Sequence, residues 1–328
     1  MHSAISLNYL LSLILFAKIT LPETQNRTEI SRNFRSMKAL PFKIPVPGET
    51  SIVVEEEIEQ HFYTFLHQHQ EVQLTWILKG EGTLLAGNYT GHFGSGDIYW
   101  FGPNQPHVFR CDPVYFQNKN WLKAQSISVY FDVSETRQNL LSVPELEVLK
   151  QFSVRSQRGF RIEPEDYVAM TEAFLRVRVQ QGLPRLTAFL QLVDQVLNHS
   201  NHFPLSDEEI GSDLSEKEGT RMHTIYDFTL KNFNKEVTVS EAADLVHMTP
   251  EAFCRFFKKH TRKTYVTFLN EVRVEKACRK LKAPDDKLIA EIAYSCGFGN
   301  VSHFNRVFRK VTGKTPREYQ AHSAARKK

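Results

Sequence analysis

Two patterns of apolar and polar residues divide this chain, and one replaces the other near residue 139. Between Ser51 and Asp132, short apolar runs alternate with glycine-rich turns. This predicts strands at Ser51–Glu56, Val72–Leu78, Asp97–Phe101 and Ser126–Phe131. Many short strands separated by glycine indicate a β-sandwich or a small barrel.

Helical periodicity follows this β-rich region. Helix starts are predicted at Pro164, with acidic residues in the first turn, and at Pro184. The second helix carries apolar residues 4, 3 and 4 positions apart, at Leu186, Leu190, Val193 and Leu197. That heptad-type spacing suits packing against the same helix of a second copy or against the helix's own domain, and the pattern leaves both open.

Two segments have neither pattern. Residues 202–219 are polar and acidic, which predicts an inter-domain linker. Ala4–Ile19 is apolar, but it is shorter than the ~20 residues of a membrane span, and no Lys or Arg precedes it as in a signal peptide. We therefore expect no stable membrane association and favour Met37 as the natural start of translation.

The C-terminal third contains an internal repeat with a constant offset of 51 residues. Between Phe253–Thr264 and Phe304–Thr315, seven positions are identical and one is conservatively changed. Such agreement at a single offset indicates a duplicated structural unit. Apolar residues spaced i, i+3, i+4 predict buried helix faces formed by Phe253, Phe256, Phe257, Phe304, Val307 and Phe308.

Each copy reads as a helix, a tight turn and a second helix. In the first copy, Ser240 is expected to cap one helix, and Thr249 followed by Pro250 to begin the next. In the second copy, Gly297 can adopt the positive φ of the turn, and Asn300 caps the helix after it. A long helix predicted over residues 266–281 can hold the two second helices ~34 Å apart, which is one turn of B-DNA.

Composition adds an asymmetry of charge. Residues 220–328 contain 22 Lys+Arg against 11 Asp+Glu, whereas the rest of the chain has 19 against 26. A basic domain attached to a weakly acidic body indicates a polyanionic partner. The 4 cysteines include no CxxC pair, which argues against a disulfide framework and a cysteine zinc site.

A resemblance to a known family follows from the second repeat. Its motifs are Ile289-Ala290-Glu291-Ile292-Ala293, Cys296-Gly297-Phe298, Phe304–Lys310 and Gly313–Tyr319. With these motifs, residues 235–319 resemble the DNA-binding domain of AraC/XylS-type transcription regulators. The resemblance implies a cytoplasmic transcription regulator that binds double-stranded DNA through two helix-turn-helix motifs. Its expected role is that of an activator. It implies neither an enzymatic activity nor a cofactor, and with the heptad seam it suggests a homodimer.

Side chains beside the buried phenylalanines are the candidate DNA contacts. Arg can read guanine, Asn can read adenine, and small apolar groups can contact a thymine methyl. The lysines of both repeats are expected to neutralise phosphates, and these include Lys263 and Lys314 in addition to the candidates named below. The candidates are Glu251, Ala252, Cys254, Arg255, Lys258, Lys259, Val301, Ser302, His303, Asn305, Arg306, Arg309 and Lys310.

In the β-rich region, His67-Gln68-His69 with Gln73, and Pro103–His107, resemble the two cupin motifs. In metal-binding cupins a Glu is expected where this chain has Gln73, so the only anionic ligand is missing. We therefore expect no metal and a small-molecule effector, such as a sugar, against an aromatic wall. The expected pocket comprises His67, His69, Gln73, Trp76, Trp100 and His107. The alternatives are that these aromatics are ordinary core, or that the chain is a metal-dependent cupin enzyme with an appended DNA-binding domain.

These patterns together predict an α+β multidomain chain. An N-terminal β-barrel or jelly roll of cupin-like type, with a helical extension, precedes a C-terminal all-α domain. The expected boundaries are a leader at 1–36, the effector-binding domain at 37–135, the helical and dimerising region at 136–201, the linker at 202–219, and the DNA-binding domain at 220–328.

Overall fold

A computed structural model describes residues 51–117, 121–133, 143–162, 167–199, 201–206, 214–282 and 288–325. These residues all belong to one unit that extends from Pro41 to Lys328. The expectations for residues 1–36, for Met37 and for the helix start at Pro164 lie outside the described residues.

Within this part of the chain, nine strands form two antiparallel sheets. One sheet has six strands in the order β1-β7-β2-β5-β8-β9, and the other has three in the order β4-β3-β6. The four strands predicted from sequence are confirmed as β1, β2, β5 and β7. The strands are β1 (Ile52–Glu59), β2 (Val72–Lys79), β3 (Gly82–Ala86), β4 (Tyr89–Phe93), β5 (Ile98–Phe101), β6 (His107–Cys111), β7 (Ala124–Phe131), β8 (Phe160–Ile162) and β9 (His202–Pro204).

Alternation along each strand gives the six-stranded sheet two distinct faces. On β2, Leu74 and Trp76 face an outer side that is covered by helices. Ile77 faces inward, where its buried cluster includes residues of the three-stranded sheet such as Phe109. The inner faces of the two sheets therefore enclose a common interior, which confirms the expected barrel-like architecture.

Three helices cover the outer face of the six-stranded sheet. They are α1 (Glu147–Arg155), α2 (Tyr167–Val179) and α3 (Gly182–Asn198). In α3, Val193 is buried and the three leucines of the heptad seam are half-buried against this same sheet core. The seam therefore contributes to packing within its own domain.

Two short strands change the expected domain boundaries. β8 lies within the predicted helical region, and β9 begins at the first residue of the predicted linker, yet both extend the six-stranded sheet by backbone pairing. Residues 207–213 of that linker lie outside the described residues. The sequence pattern missed these strands because each is only three residues long and too short to show periodicity.

All regular elements among the described residues of the C-terminal region are helices, and the two helix-turn-helix motifs are α5–α6 (Val239–Asp244 and Pro250–Thr261) and α8–α9 (Ile289–Ser295 and Val301–Thr312). In each second helix, the two phenylalanines at equivalent repeat positions are fully buried. Phe256 and Val307 are only half-buried. The helices are α4 (Glu216–Asn232), α5 (Val239–Asp244), α6 (Pro250–Thr261), α7 (Tyr265–Lys282), α8 (Ile289–Ser295), α9 (Val301–Thr312) and α10 (Pro316–Ala325). None of the helices in the described ranges combines the length and apolar character that crossing a bilayer requires.

The helix starts follow the capping rules, with one correction. The Thr249 hydroxyl accepts the Ala252 N–H at 3.3 Å, and the Asn300 side chain accepts the His303 N–H at 2.7 Å, as expected. The prediction that Ser240 caps α5 is wrong, because the cap is Thr238. Thr238 and Glu241 form a reciprocal capping box, which stabilises this earlier start.

Gly297, in the turn between α8 and α9, has φ +83°, which confirms the sequence expectation. A Cβ atom at this position would lie 2.2 Å from the Phe233 carbonyl oxygen. The turn therefore requires glycine both for its backbone conformation and for the close approach of a neighbouring chain segment.

We expect Gly297→Ala to lower the free energy of unfolding by ~2–3 kcal/mol, because it adds strain at a positive φ and a backbone clash. Urea denaturation of the two forms measures this difference. Gly299→Ala is the matched control, since its Cβ would meet nothing within 4 Å and its φ is not positive. Equal effects of the two substitutions would contradict the assignment.

Candidate functional site

The outer faces of α6 and α9 carry the candidate DNA contacts, at equivalent positions of the repeat. Each face lies opposite a buried phenylalanine pair, so packing fixes which side chains point to solvent. Ala252, Val301 and His303, near the helix starts, are half-buried. The exposed candidates are Glu251, Cys254, Arg255, Lys258, Lys259, Ser302, Asn305, Arg306, Arg309 and Lys310.

The lysines near α6 differ in their availability. Lys259 lies 3.3 Å from Glu218, but its side chain remains 68% exposed and free to meet another anion. Lys263 is only 17% exposed, and its ammonium contacts both Glu271 and the Asn88 carbonyl of the β3–β4 turn. Lys263, expected on a phosphate, instead joins the helical region to the β-sheet region in this structure.

The interior between the sheets brings three histidines together. Ring nitrogens of His67, His69 and His107 all lie within 4.8 Å of one another. Each Nδ1 faces a backbone carbonyl, which can only accept, so each Nδ1 holds the proton and each Nε2 presents a lone pair. The carbonyls belong to Phe65, Glu71 and Gln105, at 2.9, 2.9 and 2.8 Å.

Gln73 closes this network. Its Oε1 is placed 2.9 Å from the Nε2 of His69 and from that of His107, and its Nε2 is 2.7 Å from the Thr75 hydroxyl. The unprotonated Nε2 atoms of His69 and His107 each need a hydrogen-bond donor. This favours the Gln73 side-chain amide rotated by 180°, so that its nitrogen and oxygen exchange places. The amide nitrogen then donates to both imidazoles, and its oxygen accepts from Thr75, which lies 2.8 Å from Ser128.

Burial keeps these imidazoles neutral. It lowers the pKa of His67 to about 4, and it lowers the pKa values of His69 and His107. Neutral imidazoles whose Nδ1–H groups are held by carbonyls have the orientation of metal ligands. The residues that could hold a divalent cation are therefore these three histidines. Among the residues that the structure describes, no carboxylate joins the set, and the Gln73 amide already satisfies two of the imidazoles.

The two tryptophans of the expected pocket lie elsewhere. Trp76 and Trp100 face the outer side of the sheet, where Trp100 stacks on Phe160 with centroids 5.6 Å apart and Trp76 lies 6.0 Å from Phe174. The structure therefore separates them from the histidines, and the expected aromatic wall is wrong. Because strands alternate, Phe101 points inward instead and stacks on His107 at 4.2 Å.

Sequence reasoning missed a second polar group in the interior, on β1 and β7. Glu55 and Glu57 are on the inward side of β1, since Ile52 and Val54 pack in the outer core. Ser128 and Tyr130 of β7 are opposite the same side. The run Glu55-Glu56-Glu57 in Ile52–Glu59 shows no alternation of apolar and charged residues, so the sequence carried no clear signal for which of these side chains face inward.

The outer face of the three-stranded sheet is buried against the C-terminal helices. Leu85 and Val108 share one apolar cluster with Tyr226 and with the buried phenylalanines of α6. Polar contacts surround this cluster: Arg279 Nη1 lies 2.5 Å from Asp112, Lys276 Nζ lies 2.7 Å from Thr83 Oγ1, and Arg110 lies 2.5 Å from Asp227. His107 faces the interior and Val108 faces the helices, so adjacent residues of β6 contact the two regions.

Glu57 makes stability depend on pH. Burial, followed by the nearby Glu55 and Glu59 carboxylates, raises the pKa of Glu57 from 4.5 to about 8. The folded state therefore holds an extra proton between these values, and this stabilisation is lost as pH rises through about 8. We expect the free energy of unfolding of the native chain to fall between about pH 5 and about pH 9, and Glu57→Gln to flatten that fall.

Urea unfolding at a series of pH values measures this slope. Glu56→Gln is the matched control, because Glu56 faces outward on the same strand and pairs with Arg178 at 2.8 Å. Parallel slopes for the native chain and Glu57→Gln would contradict the prediction.

Comparisons with known proteins agree with this architecture. Residues 50–214 match the AraC-like ligand binding domain family, and residues 242–322 match the helix-turn-helix domain family. The chain is 23% identical over 271 residues to the transcriptional activator RhaS of Pectobacterium atrosepticum, covering 79% of this chain and 88% of that one. It is 34% identical over 96 residues to the bifunctional transcriptional activator/DNA repair enzyme AdaA of Bacillus subtilis, covering 29% of this chain and 45% of that one.

The chain thus spans less than half of the AdaA protein, and likewise only 37% of a RhaS protein from Enterobacter. Among solved structures, ToxT of Vibrio cholerae matches at 16% identity over 82% of this chain and 97% of that one, with a TM-score of 0.32. The ligand-binding match alone covers half of the sequence. The chain belongs to the AraC family of transcription regulators.

Proposed function

We propose that this chain is a transcription activator that reads a promoter with α6 and α9 and binds a small-molecule effector between its two sheets. The observation that carries the proposal is the equivalence of the two helices. Both place exposed basic residues opposite buried phenylalanines, and α7 joins them within one packed domain. Two matched faces suit successive major-groove segments on one side of B-DNA.

Arg255 and Arg306 are the proposed guanine readers, because each is exposed at the same place in its repeat and Arg can pair bidentately with guanine. Asn305 is the proposed adenine reader. The N-terminal N–H groups of α6 and α9, and the exposed lysines, provide phosphate contacts that set the register on the duplex.

The effector is proposed to act through the three-stranded sheet. A ligand among the interior side chains would contact β6 at His107, while Val108 packs in the cluster that holds α6. The ligand can therefore bias how firmly the helical domain is held, with a coupling of ~1–3 kcal/mol if it is typical.

Self-association is a further part of the proposal. Leu186, Leu190 and Leu197 of α3 remain half-buried after packing, and Leu183 at the start of the helix is 73% exposed. This leaves an apolar strip that a second copy could cover, so we propose a homodimer through α3.

The proposed role is regulatory, in the cytoplasm, with no catalytic step. The neutral imidazoles, two of which are hydrogen-bonded to Gln73, support a binding site over a metal-dependent reaction centre. An open coordination position with an anionic ligand would favour the enzyme alternative.

We expect Arg306→Ala to weaken binding to the preferred duplex by ~1–3 kcal/mol, or about 5- to 150-fold, and to relax specificity at one base. Gel shifts on duplexes selected from a randomised pool measure both effects. Lys310→Ala should instead weaken all duplexes alike and reduce the salt dependence, since it contacts phosphate. Lys217→Ala, an exposed change on α4, is the control. Unchanged affinity and specificity of Arg306→Ala would refute the assignment.

We expect Asp112→Asn to loosen α7 from the three-stranded sheet. Arg279 and Asp112 form a mostly buried charged pair, so its loss should cost about 1.5–3 kcal/mol of docking free energy. Hydrogen exchange of α7 amides should then accelerate about 10- to 150-fold where exchange requires undocking. Glu56→Gln breaks a pair on the opposite sheet and should leave α7 unchanged. Equal exchange in both variants would argue against the docking role.

A further inference from the structure

One buried arginine lies where α7 passes from the first core, which contains the buried phenylalanines of α6, to the second core, which contains those of α9. Phe268 and Val272 of α7 pack in the first core, whereas Val274 and Ala277 pack in the second. Arg273 lies between these two pairs and is only 9% exposed. A permanently charged side chain is rarely buried to this extent unless its donors are satisfied, so the partners of Arg273 indicate what it does.

On one side, the guanidinium of Arg273 binds the backbone at the end of α4. Its Nε donates to the Phe233 carbonyl oxygen and its Nη2 donates to the Lys235 carbonyl oxygen, both at 2.8 Å. Carbonyl groups at the C-terminus of a helix lack partners within that helix and attract positive charge. Because α4 packs in the first core through Met222 and Ile225, these two hydrogen bonds anchor Arg273 to the first core.

On the other side, the same guanidinium contacts the turn of the second motif. Its Cζ lies 5.7 Å from the centroid of the Phe298 ring, which is within the range of a cation–π contact. Phe298 in turn packs on Phe304 of α9, with ring centroids 5.1 Å apart. A Cβ atom at Gly297 would lie 3.0 Å from the Arg273 Nε and 2.2 Å from the Phe233 carbonyl oxygen. Arg273 therefore connects the end of α4 to the residue on which α9 packs.

The type of acceptor makes this connection rigid. Within the described ranges, the hydrogen bonds of Arg273 go to backbone carbonyls, whereas Arg279 on the same helix pairs with the Asp112 carboxylate. Backbone acceptors are held in place by the main chain, and the planar guanidinium presents its donors in a fixed fork. The position of α4 relative to the second turn is therefore set by the geometry of a single side chain.

The alternative is that Arg273 only adds stability to the helical region. However, α7 is a single helix that enters both cores, and long helices can bend between the segments that pack. The contacts of Arg273 lie at the point where such bending would change the separation of α6 and α9. A contact at this place affects the geometry of DNA recognition as well as the free energy of unfolding.

We propose that Arg273 is a positioning residue that fixes the separation and relative orientation of α6 and α9. It thereby determines how many base pairs lie between the two DNA segments that these helices read. The inference rests on the proposed function, and it assigns spacing specificity to a residue that acts through the protein. Replacing this buried side chain removes none of the exposed candidate contacts.

Gel shifts of the full chain test the proposal on duplexes derived from the sequence that the native chain selects. One set has two base pairs added or removed between the two protected segments. A second duplex, used at low salt, retains only the segment at which Arg306→Ala relaxes specificity. We expect the native chain to bind the altered spacings about tenfold more weakly, because one helix then loses its position in the groove.

Arg273→Ala should change the spacing preference and leave single-segment binding intact. We expect it to bind the original duplex about tenfold more weakly and to distinguish the altered spacings by about threefold or less, since the two helices no longer have a fixed separation. Its affinity for the single-segment duplex should equal that of the native chain. A purely stabilising role would lower both affinities alike and would not move the spacing preference.

Lys280→Ala is the matched control, because it removes a positive charge from the same helix while its contact with Ser295, at 2.7 Å, stays within the second motif. Its spacing preference should equal that of the native chain. Arg273→Lys keeps the charge but loses the planar fork, and Phe298→Leu removes the ring that the guanidinium contacts, so both should broaden the spacing preference. Thermal unfolding identifies the folded variants, and these two milder substitutions keep the test decisive if Arg273→Ala does not fold.

A folded Arg273 variant that keeps the native spacing preference would overturn the proposal. An equal loss of affinity for the two-segment and single-segment duplexes would do the same, since it indicates general destabilisation. A native chain that selects no sequence, or that tolerates every spacing, refutes reading by both helices and thus the proposed function. Spacing-dependent binding by the native chain together with unchanged Arg273 variants refutes the positioning role alone.

Discussion

Burial of the outer face of the three-stranded sheet against the C-terminal helices is the interaction on which the rest of this structure depends. Leu85 and Val108 belong to the same apolar cluster as the phenylalanines that shape α6. The core of the first helix-turn-helix motif is thus completed by strand residues. The charged pair between Arg279 and Asp112 fixes α7 over the same sheet.

This contact gives the three-stranded sheet two roles. Its inner face closes the interior that holds the histidines and carboxylates, and its outer face holds the helices that display the basic residues. Because strand residues alternate between the faces, a change in the packing of His107 reaches Val108 through a single peptide bond. The three-stranded sheet therefore connects the interior that holds the histidines directly to the packing of α6.

The interior combines two electrostatic environments. Near the histidines, the network is neutral and closed, since Gln73 satisfies two imidazoles and backbone carbonyls hold all three Nδ1 protons. On β1, Glu55 and Glu57 lack a cationic partner within the described residues, and burial raises the pKa of both carboxyls, that of Glu57 to about 8.

The sequence by itself determined the features that depend on local spacing. The 51-residue repeat, the phenylalanine stripes, the caps at Thr249 and Asn300 and the turn at Gly297 follow from helix periodicity and backbone sterics. Only the tertiary structure decided which face of a strand became interior, so it moved Trp76 and Trp100 to the outer core and brought Glu55 and Glu57 inward. It also took Lys263 from the expected phosphate contacts and added β8 and β9 to the sheet. Local patterns cannot settle these points, because a strand's alternation defines two faces but the elements that later pack on it determine which is enclosed.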